Sequence, residues 1–142
     1  MAGAAALKWG FELPSARHTR RMRILHEHAG LVHAPVQQVR DAVLSVQHGP
    51  FRTTPIPLRV DVDLEQGWIE ARGQWWWCGR FEVRDDPAGA RIVYRTYNLA
   101  RGVSGRLVPF TVGRGHRRGG REALRKVLEE LGDQFSCETE LL

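Results

Sequence analysis

The segment that decides the fold is LRVDVDLEQGWIEARGQWWWCGRFEVRDDPAGARIVYRTYNL, residues 58–99. At its start apolar and charged residues alternate strictly, which is typical of a strand with one dry and one wet face. Gly67 and the loop DDPAGA, residues 85–90, mark turns between further apolar stretches. The strands predicted in this way are 58–64, 68–72, 74–84 and 91–99, and successive hairpins of this kind predict an antiparallel sheet.

Charged side chains indicate the direction of each strand, because unpaired Asp, Glu and Arg are rarely buried. Within QWWWCGRF, residues 74–81, Arg80 lies on the same side as Trp76, so we expect Trp75 and Trp77 to point inward. Trp76 would then cover the outer face or an interface. An exposed Trp76 together with an edge strand is compatible with a homodimer. By the same rule, the inward side chains of these strands also include Ile69, Ala71, Phe81, Val83, Ile92, Tyr94, Thr96 and Asn98.

Two segments before residue 58 add a strand and a helix. RMRILHEHAGLV, residues 21–32, alternates with period two and predicts a strand that has Met22, Ile24, His26 and His28 on its inner face. HAPVQQVRDAVLSV places valines at helical spacing after a proline that suits a first turn, so a short helix should run from Pro35 to about residue 47.

A long closing helix is predicted near the end of the chain. GREALRKVLEELGDQF, residues 120–135, places Leu124 and Leu128 on one apolar helical face. The connection over residues 101–120 contains glycines at positions 113, 115, 119 and 120, which argue against a stable helix there.

Length and composition indicate one domain. The chain has 142 residues and two cysteines, too few for a disulfide framework, and no apolar run of the length that a membrane span requires. We expect a loosely ordered leader at residues 1–20, a single domain at 21–137 and a C-terminal tail at 138–142. The start of the chain does not read as a secretory signal, which predicts a cytoplasmic protein.

The predicted inner surface is too polar for a simple core, since buried polar groups need partners. Aromatic walls with a few hydrogen-bonding groups are typical of small-molecule sites, so we expect a cavity between the sheet and the last helix. Apolar contacts would come from Trp75, Trp77, Phe81, Ile92, Tyr94, Leu124 and Leu128, and polar contacts from His26, His28, Thr96 and Asn98.

The order of these elements resembles a known family. The order begins with a strand and a short helix that opens within VHAPVQQV (residues 32–39), followed by a meander with WWCG (76–79), a strand that ends in YNLA (97–100) and a long C-terminal helix. This order is similar to that of the START/Bet v 1-like superfamily, which includes polyketide cyclases and lipid-transport proteins. The resemblance covers about residues 21–137. It implies an α+β helix-grip fold, in which a curved antiparallel sheet wraps around a long C-terminal helix and encloses a hydrophobic cavity. The chain departs from the family in showing five legible strands rather than six or seven, and one helix rather than two after the first strand.

The leading hypothesis is therefore a protein that binds a small hydrophobic or amphipathic, lipid- or polyketide-like molecule without a cofactor. An alternative is an enzyme of the cyclase or dehydratase type, with His26 or His28 as acid and base and Tyr94 as donor to an oxyanion. A metal site would need His33 beside these two histidines, but His33 falls on the opposite face and no carboxylate or thiol completes the set, so no metal is predicted.

A third hypothesis rests on the basic stretch at residues 101–126, which carries seven arginines and one lysine against a single glutamate. Such a stretch attracts nucleic acid, an anionic membrane or an acidic protein. No nucleic-acid motif and no series of interleaved aromatic residues accompanies it, so nucleic acid is the less favoured partner.

Overall fold

The computed structural model describes residues 23–53, 59–73, 75–100, 102–110 and 116–142. The elements are β1 (Arg23–Val32), α1 (Val36–Val43), β2 (Arg59–Asp63), β3 (Trp68–Gly73), β4 (Trp77–Asp86), β5 (Gly89–Asn98), α2 (Gly102–Leu107), a 3-10 turn (Val108–Phe110), α3 (His116–Phe135) and β6 (Thr139–Leu141). The structure is α+β, and its strands form one six-stranded antiparallel sheet in the order β2-β3-β4-β5-β1-β6. None of the described helices combines the length and apolar character that crossing a membrane requires. The predicted leader, residues 1–20, and Met22 lie outside the described residues.

The antiparallel meander predicted from residues 58–99 is confirmed, and its turns follow from local chemistry. Gly67 ends the turn between β2 and β3 with a φ of +84°, a conformation that side chains other than glycine rarely adopt. Asp86 pairs directly with Gly89, so the β4–β5 connection consists of Pro87 and Ala88 alone and is shorter than the expected loop. The backbone N–H of Ala88 donates to the Asp86 carboxylate at 2.9 Å, which is how an aspartate stabilises a tight turn.

β1 lies between β5 and a sixth strand that the sequence did not indicate. Residues 139–141, expected as part of a tail, form β6 and pair with the end of β1, where Leu31 faces Glu140. The backbone N–H of His33 donates to Glu138 at 3.0 Å and that of Leu142 donates to Ala29 at 2.9 Å. A three-residue strand is too short to show alternation, so only its pairing partner reveals it.

The inner face of the sheet, defined as the face that carries Ile69 and Ile92, packs against α1 and α3. Val39 and Val43 from α1 and Leu124, Leu128 and Leu131 from α3 are buried in one core cluster with Val32, Ile69, Phe81, Val83 and Ile92 of the sheet. These are the apolar faces that the sequence assigned to the core, so the predicted layering of sheet and closing helix is confirmed.

The tryptophan run is where the predicted side-chain directions fail in part. Residues 75 and 76 form a turn and β4 begins at Trp77, so strict alternation does not extend back through the run. Trp75, predicted inward, is 57% exposed, and Trp76, predicted outward, is 1% exposed. The buried Trp76 therefore gives no support to a homodimer. Trp77 does lie on the inner face, where it is half-buried.

Strand and helix ends account for the other local corrections. Ile24, predicted inward, is exposed, because the register of β1 shifts between Ile24 and His26. Leu64, which the alternation over residues 58–64 assigns to the dry face, is exposed because β2 ends at Asp63. Pro35 caps α1 instead of starting it, and the helix ends at Val43, earlier than the predicted residue 47.

The connection after β5 is more helical than its glycines suggested. Residues 102–107 form α2, and α3 begins at His116 and runs through Gly119 and Gly120. Gly120 is buried, and a Cβ there would lie 3.3 Å from the Tyr94 ring. Tertiary contact with the sheet thus outweighs the low helix propensity of glycine.

Candidate functional site

The inner face has two chemically different ends. At one end, Ile92, Leu124 and Leu128 pack together in the hydrophobic core. Towards the carboxyl end of β5, the same face carries His26, His28, Trp77, Tyr94, Thr96 and Asn98. The cross-strand register pairs His26 with Thr96 and His28 with Tyr94, which places each pair of Cβ atoms about 5 Å apart. The structure therefore brings together the polar residues that the sequence proposed as ligand contacts.

Gly79 is the centre of this group. It pairs with Thr96 on β5, and a Cβ at this position would lie 2.6 Å from Cζ2 of Trp77 and 2.7 Å from Oη of Tyr94. The indole ring and the phenol hydroxyl therefore converge on the space above residue 79, and only glycine leaves room for both. The sequence pattern does not reveal this role, although a glycine inside a strand is itself a signal of close approach.

Tyr94 supplies a hydrogen-bond donor at this point. Its ring stacks on Phe81 with centroids 4.2 Å apart, and its hydroxyl is hydrogen-bonded to Thr96. Burial raises the pKa of the Tyr94 hydroxyl to about 12, because the phenolate is poorly solvated there. The hydroxyl therefore keeps its proton at neutral pH, as a group that polarises a ligand oxygen must.

The first turns of α3 close one side of the group. A Cβ on Gly120 would lie 3.3 Å from Cε2 of Tyr94 and 3.5 Å from Nε2 of His28. Helix and sheet thus touch at Tyr94 and His28, and Nε2 of His28 is enclosed. Tyr94 and Thr96 are buried, whereas Trp77 and His26 are half-buried, so an approach from solvent meets Trp77 and His26 first.

Asn98 has a structural task at the edge of this group. Its Nδ2 donates to the Gly105 carbonyl at 2.7 Å, and its Oδ1 accepts from the Ala100 backbone N–H at 2.9 Å. Nδ2 thus ties α2 to the end of β5, while Oδ1 holds the chain that leaves the strand. The sequence pointed to Asn98 as a ligand contact, and the structure gives its side chain these partners within the chain.

The remaining predicted contacts lie on the surface or in the apolar core next to Tyr94. Trp75 is on the surface, and Ile92, Leu124 and Leu128 belong to the apolar end of the core. His33 is exposed and its Nε2 lies 3.0 Å from a Glu140 carboxylate oxygen. No cluster of three metal-ligating side chains occurs among the residues described by the structure.

The outer face holds a second titratable cluster that sequence analysis did not foresee. The Glu70 carboxylate is fully buried and accepts hydrogen bonds from Arg80 at 2.7 Å and from Arg72 at 2.8 Å. The Arg80 guanidinium also lies 4.1 Å from the centroid of the Trp68 ring. Burial, with a smaller effect of the Glu70 charge, raises the pKa of the neighbouring Cys78 thiol to about 12. A neutral thiol among compensated charges is a structural arrangement rather than a nucleophilic one.

A surface pocket of about 310 Å³ lies elsewhere, between α1 and the β2–β3 turn. Its lining residues are Gln37, Arg40, Asp41, Leu44 and Leu64, and Arg40 donates a hydrogen bond to the Leu64 carbonyl across it. None of the predicted ligand contacts lines this pocket.

Comparisons of the chain with models of protein families, with curated proteins and with solved structures find no match.

Proposed function

We propose that this protein binds a small hydrophobic or amphipathic, lipid- or polyketide-like molecule at the polar end of the inner face. A long C-terminal helix packed against one face of an antiparallel sheet supports a helix-grip assignment, and with it the resemblance to the START/Bet v 1-like superfamily, as part of the same proposal. In that fold class the space between sheet and helix receives the ligand.

One observation carries the proposal: the Trp77 ring and the Tyr94 hydroxyl converge above Gly79. An aromatic face, a protonated donor and a neighbouring histidine are the elements with which proteins hold a mainly apolar ligand that has one oxygen function. Trp77 would contact the apolar body, while Tyr94 and His26 would orient the polar atom.

Binding is tested first with N-phenyl-1-naphthylamine, an uncharged apolar probe whose fluorescence rises when it leaves water. We expect Trp77→Ala to weaken probe binding about tenfold, the effect of losing about 1.4 kcal/mol of contact energy. His26→Gln should change the affinity for probes that carry a carbonyl or hydroxyl more than for this hydrocarbon-like probe. His48→Gln, in an exposed turn, is the matched control and should behave as wild type.

Native mass spectrometry of the protein purified from its host then identifies the natural ligand. An apolar compound released on denaturation would support the proposal. Unchanged probe affinity in a folded Trp77→Ala variant would remove Trp77 from the site, and the absence of both probe binding and a co-purified compound would overturn the proposal.

A second candidate function is proton-transfer catalysis on the bound molecule. It is favoured by the pairing of His28 with Tyr94, which places an imidazole next to a tyrosine whose hydroxyl stays protonated at neutral pH. Tyr94→Phe should then abolish turnover of the identified ligand while its binding persists. Equal turnover in Tyr94→Phe would exclude Tyr94 as the donor.

A further inference from the structure

A basic and apolar surface lies beyond the end of β5, outside the proposed ligand site. Residues 101–121 contain six arginines and no aspartate or glutamate. Two described elements of this stretch carry exposed arginines, Arg106 on α2 and Arg118 and Arg121 on α3. We name the surface formed by these arginines together with Leu107 and Phe110 the basic end surface.

The fold places these elements at one end of the sheet. α2 is tied to Asn98 through the Gly105 carbonyl, and α3 approaches Tyr94 through Gly120. Asn98 and Tyr94 lie on the same face of β5, four residues or about 13 Å apart. The arginines of both helices are therefore presented around the same end of the molecule.

Two large apolar side chains project from this surface. Phe110 is 73% exposed and Leu107 is 51% exposed, while Val108 between them is fully buried and fixes the 3-10 turn to the body of the protein. Exposed apolar side chains scattered over a surface are ordinary, but a phenylalanine and a leucine three residues apart, with Arg106 directly before the leucine, combine charge and apolar surface.

The arginines carry charge that the neighbouring carboxylates do not neutralise. Glu122 and Glu129 both accept hydrogen bonds from Arg125. Among the ion pairs of the described residues, none includes Arg106, Arg118 or Arg121. The first turn of α3 also has no acidic residue, so positive side chains add to the positive end of the helix dipole. An anionic surface would relieve this accumulation of charge.

We propose that the basic end surface docks onto a lipid bilayer that contains anionic headgroups. Arginines would meet the phosphates while Phe110 and Leu107 enter the boundary between headgroups and acyl chains, the combination that peripheral proteins use to lie on a membrane. Nucleic acid would satisfy the arginines equally well, but it offers no apolar layer for an exposed leucine. This docking does not depend on the proposed ligand site.

The test is flotation of the full chain with phosphatidylcholine vesicles and with vesicles that also contain phosphatidylglycerol. We expect binding to the anionic vesicles only, weakened by salt because the arginine contacts are exposed. Arg118→Gln and Arg121→Gln should each lower the affinity about fivefold, the usual effect of one basic residue near an anionic membrane. Phe110→Ser should lower it further without affecting the salt dependence.

Matched controls lie on and next to the edge strand β2. Arg59→Gln removes the same charge and Leu64→Ser removes a comparable exposed apolar group, and both should bind as wild type. The proposal is overturned if neutral vesicles bind equally well, if Phe110→Ser and Arg118→Gln leave vesicle binding unchanged, or if a single-stranded oligonucleotide binds through these arginines while vesicles do not.

Discussion

The two faces of the sheet are both buried at their centres, but by opposite means. The inner face buries uncharged side chains such as Phe81 and Ile92 against the helices. The outer face buries a carboxylate, Glu70, and a guanidinium, Arg80, which hydrogen-bond to each other. The difference teaches that a charged side chain indicates which face of the sheet it lies on, but not whether it is exposed, because a compensated ion pair can be buried.

The largest effect is expected from breaking the outer cluster. Glu70→Gln leaves the buried Arg80 and the half-buried Arg72 without their carboxylate partner, and should lower the free energy of unfolding by about 3–5 kcal/mol. Urea denaturation measures this loss. Glu129→Gln removes a carboxylate of the exposed Arg125 pairs and should change stability far less, because water and salt screen an exposed ion pair. Equal stability of the two variants would show that the outer cluster does not hold the sheet together.

A second experiment compares neighbouring tryptophans. Trp76→Ala removes a buried indole and should cost about 3 kcal/mol or more, whereas Trp75→Ala removes an exposed one and should change stability by less than about 0.5 kcal/mol. Unfolding by heat or urea is monitored by circular dichroism, because both substitutions change the tryptophan fluorescence of the folded protein. A larger loss of stability in Trp75→Ala than in Trp76→Ala would show instead that Trp75 points inward, as the sequence alone predicted.

The last comparison concerns pH and involves one group from each face. Burial raises the pKa of the Tyr94 hydroxyl on the inner face from 10.0 to about 12 and that of the Cys78 thiol on the outer face from 9.0 to about 12. Both protons are held more tightly in the folded chain, so their contribution to stability is complete below about pH 9 and is lost as the pH rises towards 12.

Unfolding in urea between neutral pH and pH 11 checks this direction, with Tyr94→Phe and Cys78→Ala as the comparison variants. Each substitution should reduce the part of the stability loss at alkaline pH that the replaced side chain causes. A stability that rises with pH in this range, or an unchanged slope in both variants, would contradict the assignment.

Much of the candidate site was predictable because it lies within strands. Period-two alternation placed His26, His28, Tyr94 and Thr96 on one face, and the structure confirms that they share it. The roles of Gly79 and Gly120 could not be derived in this way, since a glycine's importance depends on which side chains from other elements approach it. Likewise, nothing near Asn98 in the sequence indicates that its amide binds Gly105.

The sequence by itself determined the antiparallel meander, the apolar faces of the helices and the direction of most strand residues, because these depend on local periodicity and turn chemistry. Tertiary structure alone decided that Trp76 is buried and Trp75 exposed, that α3 begins before its glycines and that residues 139–141 add a strand. It also decided the burial of Glu70 with Arg80, which lie ten residues apart in the chain and opposite each other on β3 and β4. Contacts between distant segments set these features, and their free energy exceeds the local preferences that a sequence pattern records.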